Sequence, residues 1–308
     1  MRLTMAFKPH LATDAVEEKI KFPCCILPKI DGVRGLNPDG QIVGRSLKLF
    51  KNRHTSAIFS GSQYMGYDGE LAAGVETDPD LCRKTTSAVN TIEGEPFLKW
   101  HIFDLCAESV AELGYEARYN MMKDFITTQH AKGELLDLQV VPMYVVKSLQ
   151  ELLYWENIWL DMGYEGIIIR DPDKPYKHGR GTVREGGYLR IKRFIQEDAI
   201  VLDIIEGETN LNEATVNELG RTTRSSHQEN KVPNGMIGTL VCKDVKTGNT
   251  INVSPGKLTQ EDKIYYWNNP DKIKGRTISY KHFPHGVKDK PRFANFMHFR
   301  DESDQALD

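Results

Sequence analysis

The stretch Lys29-Ile30-Asp31-Gly32-Val33-Arg34 decides how the first half of this chain is interpreted. Apolar residues at 23–30 predict a buried strand, and the Asp-Gly pair that follows predicts a tight turn. Lys29 would therefore project its amine from the end of a strand, where that amine is partly desolvated. Desolvation and nearby cations favour the neutral amine that a lysine nucleophile needs, and Arg34 could supply such a cation.

Strands and helices alternate through residues 33–170. Four apolar residues at helical spacing predict one helix: Tyr115, Tyr119, Met122 and Ile126. Ser148 and Glu151 form a capping box, which predicts a second helix that runs to about Met162. Strands are predicted at 33–36, 41–45, 67–72, 100–105, 138–146 and 166–170. This mixture predicts an α/β or α+β first domain.

The pattern changes after Phe194. Strands are predicted at 199–205, 236–245, 250–253, 276–283 and 294–300, and a helix at 259–267. Such a set is typical of a small barrel of the OB type, which places the domain boundary within 193–200. Residues 207–235 are polar with almost no apolar periodicity. They are interpreted either as a loop that reaches DNA or as a solvated excursion.

Composition excludes several classes of protein. With 308 residues, 40% of them apolar and 27% charged, the chain is long enough for two soluble domains. It contains no apolar run near the roughly 20 residues of a membrane helix, and its first residues lack the apolar core of a signal peptide. The five cysteines form no C-x-x-C pair, which argues against a zinc module or a disulfide framework and indicates a reducing cytosol.

The charge is unevenly distributed. The net charge of −3 by itself points away from nucleic acid. Residues 174–193, however, hold seven Lys or Arg against one acid, and residues 272–300 hold eight against one. Such basic stripes can form an electrostatic surface for phosphates, although a run of charges is more often a solvated face.

Six segments recur in an order that is typical of one superfamily. They are Lys29-Ile30-Asp31-Gly32-Val33-Arg34, Gly44-Arg45-Ser46, Asp68-Gly69-Glu70-Leu71, Ile102-Phe103-Asp104, Glu165-Gly166-Ile167-Ile168-Ile169-Arg170-Asp171 and Leu189-Arg190-Ile191-Lys192. They resemble the motifs of the lysine nucleotidyltransferases: ATP-dependent DNA ligases, RNA ligases and mRNA-capping guanylyltransferases. The likeness is greatest to the small ATP-dependent DNA ligases of bacteriophages, because the fifth segment leads into Tyr176-Lys177-His178-Gly179-Arg180 before the sixth.

The resemblance implies a two-domain α+β fold. A nucleotidyltransferase (adenylation) domain of antiparallel sheets and helices would cover residues 1–195, and a small OB-fold β-barrel would cover residues 196–308. The resemblance also implies ATP as co-substrate and a divalent ion, Mg²⁺ or Mn²⁺.

The resemblance further implies roles for single residues. Lys29 would attack the α-phosphorus of ATP and hold AMP as a phosphoamide. Phe103 would stack on the purine, and Glu70 would accept hydrogen bonds from the ribose or help to hold the metal. Glu165 would bind the metal through its carboxylate oxygens.

Cations are expected around the phosphates. By the same resemblance, Arg190 and Lys192 would neutralise the α-phosphate as negative charge builds there. Arg34, with its planar fork of donors, would contact the nucleotide and the 5′-phosphate of a nicked strand. Arg45 would contact the same 5′-phosphate.

Three features depart from the family's pattern. The sixth segment usually has lysine at both charged positions, and here the first is Arg190. Leu27 stands where many relatives have a polar residue that reads the purine. The C-terminal segment keeps Arg300, but His298 and Ser303 stand where an arginine and a lysine are usual.

These features predict an ATP-dependent DNA ligase that seals nicks in double-stranded DNA during replication, repair or recombination. The alternatives are an RNA ligase or mRNA-capping guanylyltransferase of the same superfamily, or a non-catalytic nucleic-acid-binding module. We expect a monomer without membrane contact in the cytoplasm, which is the host cytoplasm if the protein is viral. The sequence has no cysteine-rich zinc domain or nicotinamide-recognition extension, so we expect ATP rather than NAD.

Overall fold

The structure is a computed structural model that describes residues 7–287 and 290–300. The chain divides into two compact units, Met1–Lys192 and Arg193–Asp308. Both units combine strands with helices, which confirms the predicted α+β class. Within the described residues, no helix combines the length and the apolar character that crossing a membrane requires.

The described residues of the first unit form short strands and four α-helices. Its strands are β1 (Thr13–Asp14), β2 (Cys24–Lys29), β3 (Val33–Leu36), β4 (Val43–Gly44), β5 (Tyr67–Ala72), β6 (Lys99–Leu105), β7 (Leu138–Val140), β8 (Tyr144–Val146), β9 (Gly166–Arg170) and β10 (Tyr188–Ile191). Its helices are α1 (Arg53–Phe59), α2 (Leu81–Asn90), α3 (Tyr115–Ala131) and α4 (Leu149–Asp161).

These strands form two sheets. The first sheet has the order β1-β10-β9-β2-β8, and the second sheet has the order β4-β3-β5-β6-β7. All pairs are antiparallel except β1 with β10 and β6 with β7. Because β2 lies in the first sheet and β3 in the second, the turn at Asp31 and Gly32 carries the chain from one sheet to the other.

Helices α3 and α4 form as their sequence signals predicted. The apolar α3 residues chosen by their spacing are all buried: Tyr115, Tyr119, Met122 and Ile126. Ser148 caps α4 by accepting the N–H of Glu151 at 3.2 Å. Gly163 follows that helix with a φ of 99°, a left-handed conformation that favours glycine.

One predicted strand is wrong. Residues 138–146 form two short strands, β7 and β8, which belong to different sheets. Pro142 lies between them and has no N–H to donate to a continuing ladder. The chain therefore passes from the second sheet to the first at this proline.

The second unit contains one five-stranded sheet and a small hairpin. Its elements are β11 (Ile195–Asn210), β12 (Ala214–Val216), β13 (Thr222–Arg224), β14 (Lys231–Asp244), β15 (Thr250–Val253), α5 (Gln260–Asn268), β16 (Thr277–Val287) and β17 (Lys290–Phe299). The sheet order is β15-β14-β11-β16-β17. Its two edge strands meet at a bridge between Ser254 and Asn295, where Phe296 N–H donates to the Ser254 carbonyl at 2.9 Å. A continuous barrel ladder is not formed there, so full closure stays a prediction.

Residues 207–235, expected to be a loop that reaches DNA or a solvated excursion, contain strands. Strand β11 continues to Asn210 and pairs with the start of β14, where Asn210 lies opposite Lys231. Between these strands, β12 and β13 form their own hairpin. The ladder is interrupted by irregular register after Ile205 and after Glu206, and most of these side chains are exposed, which explains why no apolar alternation marks the strands.

Candidate active site

Lys29 lies at the end of β2, directly opposite Gly166 at the start of β9. The main chain closes this end of the ladder, because Glu165 N–H donates to the Lys29 carbonyl at 3.0 Å. A Cβ at position 166 would lie 2.3 Å from the carbonyl oxygen of Ile191, so the close approach of β9 and β10 requires glycine here. Directly paired residues point to one face of a sheet. Gly166 is paired with Lys29 on one side, and the continuation of β10 brings Lys192 beside Gly166 on the other, so the two lysines share one face.

The carboxylate of Glu165 joins two lysines. Lys29 Nζ donates to Glu165 Oε2, and Lys192 Nζ donates to Glu165 Oε1. The Glu165 side chain is only 4% exposed, whereas those of Lys29 and Lys192 are 20% and 16% exposed. Two amines and one buried carboxylate thus meet at the margin of the first sheet. We call these three residues the lysine cluster.

The expected effect on the Lys29 amine is wrong in sign. Burial alone would lower the pKa of Lys29, but Glu165 and Glu70 oppose it and the pKa is raised. Lys192 behaves as expected for a buried amine next to another cation: burial and Lys29 outweigh Glu165 and lower its pKa. Burial favours the neutral form of Glu165, yet the two lysines keep the pKa of this carboxyl below its usual range.

The turn after Lys29 depends on Gly32. A Cβ at Gly32 would lie 2.2 Å from the Leu71 carbonyl oxygen and 2.9 Å from Glu70 Cγ, so no side chain fits at that point. The chain therefore passes against β5 immediately beside Glu70. Burial raises the pKa of Glu70 to about 7, although Lys29 and Arg34 act to lower it.

Arg34 is already held by a buried carboxylate. In the β3–β5 ladder it lies opposite Glu70, but its guanidinium donates to both oxygens of Asp68, at 2.5 and 2.6 Å. It also donates to the His10 carbonyl at 3.2 Å. Asp68 thus neutralises the cation that the sequence had suggested as an influence on Lys29. Within residues 7–287 and 290–300, Arg34 Nη1 donates no hydrogen bond.

Phe103 lies at a β-bulge. In the β5–β6 ladder Asp68 pairs with Asp104, while Gly69 pairs with Ile102, which leaves Phe103 between them without a partner. The Arg34 guanidinium lies 4.7 Å from the centroid of its ring. A bulge redirects the side chain that it carries, and bulges are frequent beside functional sites. The ring is half-buried and therefore has surface that a ligand could cover.

Behind these residues, Asp104 ties the two sheets together. It accepts from Arg118 of α3 at 2.8 Å and from Arg170 of the first sheet at 2.6 Å. All three side chains are buried. The Arg170 guanidinium also lies 4.0 Å from the Tyr115 ring centroid and 4.2 Å from that of Tyr188. Burial acts to raise the pKa of Asp104, but the two arginines hold it below its usual range.

Sequence reasoning did not find this buried network. Asp104 and Arg170 lay inside recognised segments but had no assigned role, and Arg118 had no signal at all. A second part joins Asp68 to Tyr176, whose hydroxyl donates to Asp68 Oδ2 at 2.7 Å. Since buried charges are retained only when paired, the network fixes how the second sheet faces the first.

The remaining predicted cations lie further out. Arg190 Nε donates to Asp14 Oδ1 at 2.6 Å. Arg45 is exposed and directly follows β4, in a turn that Leu47 N–H closes by donating to the Gly44 carbonyl at 2.8 Å. The structure therefore groups Lys29, Glu165 and Lys192 closely, places Glu70, Arg34 and Phe103 on the second sheet, and leaves Arg45 at its edge.

The basic stripes are partly neutralised. Lys177 pairs with Glu185 at 2.5 Å, and Lys274 pairs with Asp203 at 2.7 Å. In the C-terminal segment, Arg300 Nε donates to Asp198 at 2.9 Å, while Ser303 lies outside the described residues. The stripes therefore contain internal ion pairs and are weaker positive surfaces than their composition suggests.

Two carboxylates are available for the expected metal ion. Glu165 bonds to Lys29, and Glu70 Cγ lies 2.9 Å from where a Cβ of Gly32 would be, so both acids flank the segment 29–32. Mg²⁺ commonly uses one or two protein carboxylates together with phosphate oxygens and water, and this pair fits that requirement. In the described part of the chain, no group of three or more His, Cys, Asp or Glu side chains could form a metal site of its own.

Comparisons with known proteins give one family match and several similar structures. Residues 230–300 match the model of the DNA ligase OB-like domain. The crystal structure of the Chlorella virus DNA ligase-adenylate is 26% identical, with a TM-score of 0.53, over 95% of this chain and 99% of that one. The predicted resemblance to ATP-dependent DNA ligases is confirmed. The similarity to DNA ligases extends over nearly the whole chain.

Two further ligase structures agree. A second structure of the Chlorella virus DNA ligase-adenylate is 25% identical, with a TM-score of 0.55, over 96% of this chain and 99% of that one. A structure of Lig E DNA ligases, described as DNA binding with a minimal scaffold, has a TM-score of 0.70 at 19% identity, over 95% of this chain and 99% of that one. At that identity, the Lig E likeness concerns the fold alone. No curated protein sequence matches the chain significantly.

Proposed function

We propose that this protein is an ATP-dependent DNA ligase that seals nicks in duplex DNA through a lysyl-AMP intermediate on Lys29. The observation that carries the proposal is the lysine cluster, in which Glu165 bonds to both Lys29 and Lys192 at one margin of the first sheet. A nucleophilic amine, a second cation for the phosphates and a carboxylate thus occupy one place. The similar Chlorella virus structure is that of a ligase-adenylate, which supports an adenylyl group as the group that the enzyme carries.

The proposed reaction has three steps. Lys29 Nζ gives up one proton to become the neutral amine and bonds to the α-phosphorus of ATP, whose bond to pyrophosphate breaks. The nitrogen then releases a second proton to solvent and keeps one N–H in the phosphoamide. An oxygen of the 5′-phosphate at the nick then attacks the same phosphorus, which releases Lys29 and forms a pyrophosphate link to AMP. Finally the 3′-hydroxyl attacks the 5′-phosphorus, so that a phosphodiester bond forms and AMP leaves.

Each site residue contributes binding or charge to these steps. Lys192 and Arg190 offset the negative charge at the α-phosphate. Phe103 presents its half-buried ring to the purine, with the other side supported by Arg34. Glu70 accepts hydrogen bonds from the ribose. A divalent ion, held by Glu165 and Glu70, would supply further charge neutralisation on the phosphates.

Two cations serve the nicked strand in this proposal. Arg45 is exposed in the turn that follows β4, at the edge of the second sheet. Arg34 keeps Nη1 for a phosphate while Asp68 orients the rest of its guanidinium. Contacts of this type are made to phosphates, so binding should be independent of DNA sequence and sensitive to salt.

The experiment that tests the proposal is incubation with α-labelled ATP or GTP and Mg²⁺, followed by a denaturing gel. We expect label from ATP on the wild-type chain and none on Lys29→Ala. The variant should still seal a nick that already carries AMP, because the last step does not use this amine. Label from GTP alone would favour a capping guanylyltransferase, and no label would favour the non-catalytic binding module.

A second assay separates DNA from RNA as the substrate. We expect sealing of a nicked DNA duplex in preference to a nicked RNA, and the reverse would favour the RNA ligase alternative. The nucleotidyltransferase and OB boundaries at 1–195 and 196–308, the monomeric state, the cytoplasmic location and the bacteriophage type stay predictions.

A further inference from the structure

Arg190, where the chain departs from its superfamily, has a partner outside the six segments. Asp14 ends β1, and the parallel register places it directly beside Arg190 of β10. Arg190 Nε donates to Asp14 Oδ1 at 2.6 Å, and Ala15 N–H donates to the Arg190 carbonyl at 2.8 Å. Since the backbone ladder sets this neighbourhood, the sheet itself presents the acid to the arginine.

The bond occupies only one side of the guanidinium. Within the described residues, the two terminal nitrogens of Arg190 have no recorded hydrogen-bond partner. Arginine carries five donors in a planar fork, so it can bind a carboxylate through Nε and still offer its terminal N–H groups to a phosphate. Lysine carries its three donors on a single nitrogen, so a carboxylate and a phosphate bound to it would lie close together and repel each other.

The location relative to the lysine cluster suits a shared ligand. Arg190 and Lys192 are two residues apart on one extended segment, so they lie on one face at about 7 Å along the strand. Asp14 is 78% exposed and Arg190 33% exposed, so a nucleotide can approach the arginine while the acid stays bonded. Two cations at this spacing can reach the phosphate chain of one nucleotide.

We propose that Asp14 is a positioning residue that turns the Arg190 guanidinium so that its terminal nitrogens face the nucleotide phosphates. It follows that the acid at position 14 makes arginine the better residue at position 190 and lysine the worse one. This inference rests on the proposed function, because it assigns Arg190 to the phosphates of ATP.

The test is a double-mutant cycle on the rate of Lys29 labelling, measured against ATP concentration to separate kcat from KM. We expect D14A to lower kcat/KM about three- to fivefold, as for a partly exposed ion pair, and D14N to lower it less because the amide oxygen still accepts from Nε. We expect R190K to lower kcat/KM about tenfold, with D14A partly restoring activity in that background. The matched control is E18A, which removes an exposed acid from the same segment and should change neither constant.

The outcomes distinguish this inference from the proposed function. Suppose that wild type labels and R190A is impaired, but D14A lowers kcat/KM by the same factor in the wild-type and R190K backgrounds. Asp14 then does not position Arg190, and the proposed function stands. If R190A labels like wild type, Arg190 does not serve the phosphates and the inference is overturned. If the wild-type protein never labels, the proposed function fails first. Equal melting temperatures for D14A and E18A would show that the difference between them is not one of folding.

Discussion

Lys29 and Glu165 are joined twice, once through the main chain and once through the side chains. The Glu165 N–H donates to the Lys29 carbonyl at 3.0 Å, and the Lys29 amine donates to the Glu165 carboxylate. The backbone bond fixes the acid beside the amine, and the acid holds that amine in its charged form. In this state the Lys29 amine is charged and bonded, so the nucleophilic role proposed for it requires that the carboxylate be drawn away or neutralised.

Removal of the acid should therefore make Lys29 more reactive in the nucleotide-free protein. In Glu165→Gln burial still disfavours the ammonium and the strongest opposing charge is lost, so the pKa of Lys29 falls. We expect faster acylation of Lys29 at neutral pH by an amine-specific reagent, followed by mass spectrometry. Glu185→Gln, which alters the exposed pair with Lys177 and the hydrogen bond that Glu185 accepts from Thr182 N–H, is the control. Equal acylation of Lys29 in both variants would contradict the assignment.

Purine stacking on Phe103 should appear in the ATP dependence of labelling. Phe103→Ala removes the ring, and base–aromatic stacking is worth about 1–3 kcal/mol, so KM for ATP should rise about tenfold. Phe103→Tyr should stay near wild type, since it keeps the ring. Phe97→Ala is the control, because Phe97 is 73% exposed and lies outside the site. An unchanged KM in Phe103→Ala would rule out stacking at this bulge.

The buried network should dominate the stability of the first unit. Asp104→Asn leaves the guanidinium groups of Arg118 and Arg170 buried without their carboxylate. Breaking a buried pair in this way costs about 3–5 kcal/mol, which urea denaturation can measure. Asp80→Asn, which breaks an exposed pair with Arg83, should leave the free energy of unfolding unchanged. Equal effects of the two substitutions would refute the structural role of Asp104.

Glu70 should make the protein less stable as pH rises. Burial raises its pKa from an ordinary value of 4.5 to about 7, so the folded state favours the protonated form. The stabilisation is present below pH 4.5 and is lost as the pH rises through about 7. Compared with wild type, Glu70→Gln should gain about 2–3 kcal/mol of unfolding free energy between those limits. Glu18→Gln should show no such gain. If the free energy of unfolding of Glu70→Gln changes with pH in parallel with that of wild type, the raised pKa of Glu70 is contradicted.

Strands were predictable where turn residues flank them in the sequence. The predicted strands at 33–36, 67–72 and 166–170 coincide with β3, β5 and β9. Helix α2 was not predicted, because Thr85, Thr86 and Ser87 in its middle are weak helix formers.

The chemistry of the site was less predictable. The six segments brought Lys29, Glu165 and Lys192 to notice, and the structure does group these three. The sign of the Lys29 pKa could not be inferred, since it depends on an acid 136 positions away in the chain. The pairing of Asp104 with Arg170 is equally non-local, and no periodicity in the sequence encodes it.

The ion pair of Asp104 and Arg170 also limits how a nucleotide enters. The carboxylate belongs to the second sheet and the guanidinium to the first. Separating the sheets would therefore break the pair and leave two buried charges unpaired. The two lysine side chains of the lysine cluster reach solvent at the margin of the first sheet, and a nucleotide bound there as proposed would not have to part the sheets. Binding without such a rearrangement would cost the protein little conformational freedom.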